Sequence, residues 1–327
     1  MKRKYSVDAL VDGLVSRNEG ALARILTLME SSPRSRSAIS QRISDYCGSA
    51  HVIGITGPPG AGKSTITAAL TALLREQDRK VGIIAYDPSS PFSGGSVLGD
   101  RIRMRDHFLD DGVFIRSLSN RGVPGGISSS AKIAADLMDA FGLGSIIIET
   151  VGVGQTDLNV MRVADTVLVV LVPESGDSIQ VMKSGLMEIG DVFAVNKSDR
   201  LGADRLVHAL ETSFKESEAT IPSVVKTRAD TNEGIHELLE ILDQRFRTMG
   251  ANGSLEIERR SSRVGYMYDA VAEIITGKIR DLVDVEDLRS DSKILNIIDG
   301  VQCGSNDPFD SAMKIVDLLL TENQLYK

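Results

Sequence analysis

The segment Gly57-Pro58-Pro59-Gly60-Ala61-Gly62-Lys63-Ser64 constrains the fold of this chain more than any other. It fits G-x-x-x-x-G-K-[ST], follows the apolar run 51–56 and precedes a helical pattern over 63–77, the strand–loop–helix context that the motif requires. Glycines 57, 60 and 62 let the backbone curl so that successive N–H groups point inward at phosphate oxygens. The helix N-terminus adds its partial positive charge. Lys63 is placed to bridge the β- and γ-phosphates and the Ser64 hydroxyl suits a magnesium ligand. Residues Gly57 to Thr65 are thus a predicted phosphate cradle.

The rest of the chain supplies the sheet that such a loop needs. Apolar strand candidates at 51–56, 80–85, 112–116, 145–149, 166–172, 191–195 and 222–227 alternate with helix candidates at 63–77, 129–141, 156–164, 178–188, 203–217 and 233–248. Most of the strands are continuous apolar runs, as expected of a sheet covered on both faces. The alternation predicts an α/β fold with a doubly wound, mainly parallel sheet, whose right-handed crossovers collect the strand C-termini on one edge. Before it, Leu10, Leu14, Ala21, Leu22, Ile25, Leu26 and Met29 recur at helical spacing, Ser31-Ser32-Pro33 interrupts them, and a second helix is expected at 35–47. After it, Ala251-Asn252-Gly253-Ser254 reads as a linker, with helices at 255–282, 284–297 and 307–322. The expected organisation is a helical N-terminal extension (1–48), a nucleotide-binding domain (49–250) and a helical C-terminal arm (251–327).

A second motif selects the base. Asn196-Lys197-Ser198-Asp199 follows the apolar strand 191–195 and has the N-K-x-D form found in GTPases. Asp199 can accept from guanine N1–H and from the exocyclic amine. Adenine offers neither donor in that arrangement and would leave the carboxylate unpaired. The Lys197 stem can lie along the base, and Asn196 can tie this loop to the phosphate loop. Arg228-Ala229-Asp230, after the strand 222–227, occupies the place of the last GTPase loop, whose backbone would meet guanine O6. This pair of motifs predicts GTP and GDP as ligands.

The segment Ile146 to Gly152 is an apolar strand ending in an acid and a glycine. In most GTPases the corresponding acid is an aspartate that holds Mg2+ through water, while the glycine N–H touches the γ-phosphate. Here Glu149 and Gly152 take those places, the longer glutamate still reaching the ion's outer sphere. Ras-like GTPases put a water-orienting glutamine immediately after that glycine. Here the position is Val153, which cannot orient water, and Gln155 lies two residues on. Slow intrinsic hydrolysis, accelerated by a partner that reshapes this loop, is the expectation. Asp87 and Asp100 are further candidate magnesium acids, either of which could equally be an ordinary turn residue. Glycines 94, 95 and 99 suggest a switch loop. A polar loop from Pro173 to Gln180, with Asp177 and then Lys183, is either a further switch or a solvated loop with a helix cap.

Composition narrows the setting. The 327 residues carry a net charge of −8, which argues against broad binding to nucleic acid or an anionic membrane. Two cysteines, Cys47 and Cys303, make neither a disulfide framework nor a metal cluster, and a reducing cytoplasm is the simplest setting. The basic start at 1–5 is followed by no apolar run, and no stretch approaches the roughly 18 apolar residues of a membrane span.

Taken in order, Gly57 to Thr65, Asp87-Pro-Ser-Ser, Gly99-Asp-Arg-Ile-Arg-Met, Glu149-Thr-Val-Gly-Val-Gly-Gln, Gly176-Asp-x-x-Gln and Asn196-Lys-Ser-Asp resemble the MeaB/ArgK-type P-loop GTPases, the family of the methylmalonic aciduria type A protein. The resemblance extends to Asn18-Glu-Gly-Ala-Leu-Ala-Arg-Ile-Leu and covers nearly the whole chain. It implies a GTP-hydrolysing chaperone that gates cobalamin loading and protects an adenosylcobalamin-dependent acyl-CoA mutase. It also implies a homodimer joined through the C-terminal arm, and a mutase-sensing switch containing Asp177, Gln180 and Lys183. Lys63, Glu149, Gly152, Gln155, Asp177 and Lys183 are the candidate catalytic set; Ser64, Asp87, Asp100 and Glu149 are the candidate metal set. Thr156-Asp157 departs from the commoner Ser-Glu of the family.

Two alternatives share the phosphate loop. A nickel-insertion GTPase would need clustered soft ligands, whereas His51, His107, His208 and His236 are scattered. A small-molecule kinase would not need the Asn196–Asp199 motif.

Overall fold

The computed structural model describes residues 6–31, 33–87, 110–119, 126–150, 162–173, 186–215, 221–283 and 292–321. Three helices come first: α1 (Val7–Val15), α2 (Glu19–Ser31) and α3 (Pro33–Ile43). The Ser6 hydroxyl caps α1 by accepting from the Ala9 N–H at 3.2 Å, and the Asn18 side chain caps α2 by accepting from the Ala21 N–H at 3.0 Å. Pro33 opens α3, a position where its missing N–H costs nothing. Leu10, Leu14, Ala21, Leu22, Ile25, Leu26 and Met29 are all buried, as their helical spacing requires.

Seven strands follow: β1 (His51–Thr56), β2 (Val81–Asp87), β3 (Val113–Ser119), β4 (Ser145–Thr150), β5 (Thr166–Leu171), β6 (Val192–Val195) and β7 (Ser223–Lys226). They form one parallel sheet in the order β3-β2-β4-β1-β5-β6-β7. Each strand expected from the apolar runs is present, with ends shifted by at most a few residues. β4 and β5 are buried at every position, which is why their sequences are apolar without alternation.

The helices α4 (Lys63–Glu76), α5 (Gly126–Phe141), α6 (Leu186–Ile189) and α7 (Ala203–Lys215) lie between strands, and α8 (Ile235–Asn252) follows β7. One apolar core unites Ile66, Leu70 and Leu74 of α4 with Leu238 and Leu242 of α8 and with Ile53, Ile147 and Leu168 of the sheet. The other unites Leu137 and Met138 of α5, Leu210 and Phe214 of α7, and the N-terminal helices. Layers on both faces make the fold doubly wound. Each fully buried leucine here contributes about 1.5–3 kcal/mol. Of the helix expected at 156–164, residues 156–161 lie outside the described residues and 162–163 form a turn. Of that expected at 178–188, only the part from Leu186 is described.

The linker expected at 251–254 narrows to one residue. α8 runs to Asn252 and α9 (Ser254–Val283) begins at Ser254, with Gly253 between them at φ 79°. A left-handed C-cap of this kind ends a helix and lets the next begin at once. The helices α10 (Ser292–Gln302) and α11 (Pro308–Thr321) are the last described elements. The chain divides into two compact units, Met1–Asp269 and Ala270–Lys327. In the first, Arg259 of α9 forms a two-pronged ion pair with Asp165, Nε to Oδ1 and Nη2 to Oδ2 each at 2.7 Å. It also donates to the Gly48 and Ala50 carbonyls at 2.6 and 2.7 Å. In the second, Ile294 is buried with Ile298, Ile315 and Leu318 packed against it.

Candidate nucleotide site

Because the sheet is parallel, the C-termini of β1, β4, β6 and β7 open on one edge, and every described candidate residue lies there. The residue after β1 is Gly57, at φ 143°. A Cβ on it would stand 2.1 Å from the Val170 carbonyl oxygen, so only glycine lets the loop leave the strand this close to β5. Gly62, at φ 93°, is the N-terminal neighbour of α4, and a Cβ there would meet Asn196 Nδ2 at 2.3 Å. Lys63 is nine-tenths buried, and its Nζ donates to the Gly57 and Pro58 carbonyls at 2.8 and 3.1 Å, folding the loop around its ammonium group. Pro59, Gly60 and Thr65 are exposed, Ala61 is buried.

β4 sits between β1 and β2, with Glu149 opposite Ile55 on one side and Ala85 on the other. That register carries Glu149 to the start of α4, where Ser64 Oγ donates to Glu149 Oε1. A hydroxyl and a carboxylate side by side at a helix N-terminus are the hard oxygen donors that Mg2+ takes, and the pair fits that ion. Asp87 ends β2 and faces Ser119 in the register; its side chain lies outside the described residues. Asp100, Gly152, Val153, Gln155, Asp177, Gln180 and Lys183 lie outside them altogether.

The base loop is locked to the phosphate loop. Asn196 follows β6 and is buried; its Nδ2 donates to the Ala61 carbonyl at 2.8 Å. Its Oδ1 accepts from Thr227 Oγ1 at 3.3 Å and from the Ala229 N–H at 3.2 Å. One amide therefore joins three loops. Lys197, at φ 56°, reaches back to the Gly60 carbonyl at 2.8 Å, a second tie between base loop and phosphate loop. The Ser198 N–H donates to the Thr227 carbonyl at 3.1 Å, which sets Asp199 next to the loop 228–230. Of the three backbone N–H groups in that loop, Arg228 donates to the Glu233 carbonyl and Ala229 to Asn196. The Asp230 N–H has no acceptor among the described residues.

Hydrogen bonds thus join the expected phosphate loop to the expected base loop, and a hydroxyl–carboxylate pair lies at the start of α4. Over residues 22–283 the chain matches the model of a family described as Methylmalonyl Co-A mutase-associated GTPase MeaB. The chain belongs to the MeaB family of GTPases.

Relatives agree with that membership. A protein of Pyrococcus horikoshii named as a GTPase is 40% identical over 291 residues, 87% of this chain and 92% of its own. The GTPase ArgK of Escherichia coli is 35% identical over 260 residues, covering 75% of this chain and 78% of ArgK. The mitochondrial methylmalonic aciduria type A homolog of Mus musculus is 32% identical over 294 residues, 83% of this chain and 71% of its own. Among solved structures, a LAO/AO transport system kinase superposes with a TM-score of 0.68 at 26% identity, covering 98% of this chain and 99% of that one. The family description, the Pyrococcus horikoshii protein and ArgK are all named as GTPases.

Elsewhere, the described histidines do not converge; His107 lies outside the described residues. His51 opens β1, stacks on Phe246 at a centroid distance of 4.3 Å, and lies 3.0 Å from Thr166 Oγ1 through Nε2. Burial first, then the positive charges of Arg79, Arg259 and Arg245, pull its pKa down to about 3. His208 and His236 are exposed on α7 and α8. Among the described residues no three His, Cys, Asp or Glu side chains are grouped to hold a metal ion, and no helix is long and apolar enough to cross a membrane. Thr227, which donates to Asn196 Oδ1, belongs to no motif; its one signal in the sequence is its place directly after β7.

Proposed function

We propose that this chain is a GTP-binding and GTP-hydrolysing chaperone of an adenosylcobalamin-dependent acyl-CoA mutase, gating cobalamin loading and protecting the mutase. The observation that carries the nucleotide part is the Asn196 amide, which braces the phosphate loop at Ala61 against the loops bearing Asp199 and Ala229. Held this way, residues 57 to 65 take the phosphates and Asp199 pairs with guanine N1–H and its amine. The Asp230 N–H, rather than that of Ala229, takes O6. Ser64 and Glu149 are the residues that would hold Mg2+, Ser64 directly and Glu149 through water, and the ion would supply charge stabilisation at the γ-phosphate. Asp87, Asp100, Gly152, Gln155, Asp177 and Lys183 keep their expected roles around the γ-phosphate and the switches.

The mutase part is supported by the family description and by the methylmalonic aciduria type A relative. Exposed apolar residues along α9, among them Ile257, Val264, Met267 and Tyr268, are consistent with a homodimer through the C-terminal arm. A cytoplasmic setting follows from the composition.

The test is single-turnover GTP hydrolysis by the full chain, alone and with methylmalonyl-CoA mutase and adenosylcobalamin, alongside cofactor transfer to the mutase. A slow rate alone, raised by the mutase, is expected. A rate and a transfer that no acyl-CoA mutase alters would refute the chaperone role and leave the GTPase intact.

A further inference from the structure

The loop after β7 carries a feature that neither the motif nor the family description assigns. The Arg228 guanidinium stands among three carboxylates. Its Nε is 3.3 Å from Asp230 Oδ1 and 3.8 Å from Asp199 Oδ1, and its Nη1 is 3.9 Å from Glu233 Oε1. Nε is buried, yet makes no aligned hydrogen bond among the described residues. These contacts are therefore charge contacts and not the planar fork that arginine forms with one carboxylate.

The backbone fixes where this charge sits. Arg228 and Glu233 exchange N–H and carbonyl bonds at 2.9 and 3.2 Å, closing a small antiparallel bridge. The Thr231 N–H donates to the Arg228 carbonyl at 3.2 Å, and Thr231 Oγ1 donates to Glu233 Oε1 at 3.0 Å. The neighbouring Ala229 and Thr227 are bonded to Asn196 and Ser198, so Arg228 and Asp199 are held at a set separation.

Without that charge, Asp199, Asp230 and Glu233 would place three negative charges at the rim of the base site. They would repel one another and a nucleotide that is itself an anion. We propose that Arg228 is a positioning residue for guanine recognition: its guanidinium holds the Asp199 carboxylate toward the base and neutralises the acids beside it. This rests on the reading of Asp199 as the guanine acceptor.

The experiment compares the affinities of GDP and IDP for the full chain. Inosine keeps N1–H but lacks the exocyclic amine, so the ratio of the two reports how well both Asp199 oxygens face the base. In Arg228→Ala the GDP affinity falls by about tenfold more than the IDP affinity, shrinking the ratio by that factor. Because the contacts are of charge and not of aligned bonds, Arg228→Lys keeps most of the wild-type ratio. IDP binding also reports folding, since a misfolded variant loses both ligands alike. An unchanged ratio in Arg228→Ala, with wild type preferring GDP, overturns the positioning role alone. A wild type that binds GDP, IDP and ADP equally overturns the reading of Asp199 first, and the role of Arg228 with it.

Discussion

Asn196 Nδ2 donates to the Ala61 carbonyl at 2.8 Å, across 135 residues of chain, and so makes the base loop and the phosphate loop one body. Its oxygen serves Thr227 and Ala229 at the same time. Replacing Asn196 by alanine strips all three partners, and an unsatisfied buried polar group costs about 1–3 kcal/mol. Part of that loss falls on the nucleotide, because the two loops no longer hold a fixed spacing. Asn196→Ala should weaken GDP binding by roughly 30-fold, about 2 kcal/mol. Titration with a fluorescent GDP analogue checks this; wild-type affinity in the variant would mean the brace is idle.

Base choice can be inverted at Asp199. An amide in its place donates where the carboxylate accepts, which suits xanthine, whose C2 carries an oxygen, and repels the guanine amine. Asp199→Asn should lose at least about a hundredfold in GTP affinity and gain XTP binding. Competition between the two nucleotides measures the exchange, and retention of GTP preference would remove Asp199 from the base site.

The contact of Ser64 with Glu149 predicts where magnesium acts. In wild type, adding Mg2+ should tighten GDP binding; Ser64→Ala removes the hydroxyl ligand and should reduce that gain by about tenfold while leaving metal-free binding near its wild-type value. GDP titrations in Mg2+ and in EDTA give the comparison. An equal magnesium effect in both proteins would move the metal away from Ser64.

Arg259 tests a part of the structure at the strand-start edge of the sheet, where its partner Asp165 precedes β5, opposite the candidate nucleotide site. Its partner Asp165 has a side chain only 5% exposed. Removing the guanidinium leaves that carboxylate buried without its counter-charge, a change that costs about 3–5 kcal/mol. Arg259→Ala should show this in urea denaturation, and Arg259→Lys should recover less than half, because an ammonium cannot reach both carboxylate oxygens and the Gly48 and Ala50 carbonyls together. Unchanged stability would mean that α9 is held at this end by other contacts.

The contrast between Asn196 and Arg259 shows what a sequence discloses. The tie of Asn196 to the phosphate loop is legible because its chemistry is local, in a short N-K-x-D loop at a strand end. The core was legible for a similar reason, since burial on one helix face leaves the spacing of Leu10, Leu14 and Leu22, and burial on both sheet faces leaves the unbroken β4 and β5. The pairing of Arg259 with Asp165 leaves no such trace, because two charged residues 94 positions apart look like any solvated pair until the fold brings them together. Arg228 was visible only as one of a tripeptide; its three acidic neighbours come from two loops. The sequence marks a linker at 251–254, wider than the single Gly253 that separates α8 from α9, because Ala251 and Asn252 suit a loop as readily as the last turn that Gly253 ends.

His51 yields a prediction about acid stability. Its pKa is held near 3 in the fold, against 6.5 for an unperturbed histidine, so the folded chain keeps the ring neutral where the unfolded chain takes up a proton. The unfolded state then binds more protons between those values, and stability falls as pH drops below about 6.5 and continues to fall toward 3. From pH 6.5 to 5 the loss from this residue alone is about 1.6 kcal/mol. In His51→Gln that component is absent: the variant starts less stable, having lost the stack on Phe246, yet its stability should decline less steeply over the same interval. Urea denaturation of both proteins at pH 7, 6 and 5 separates the two effects. Parallel declines would show that His51 is protonated in the fold and that the acid sensitivity arises at other groups.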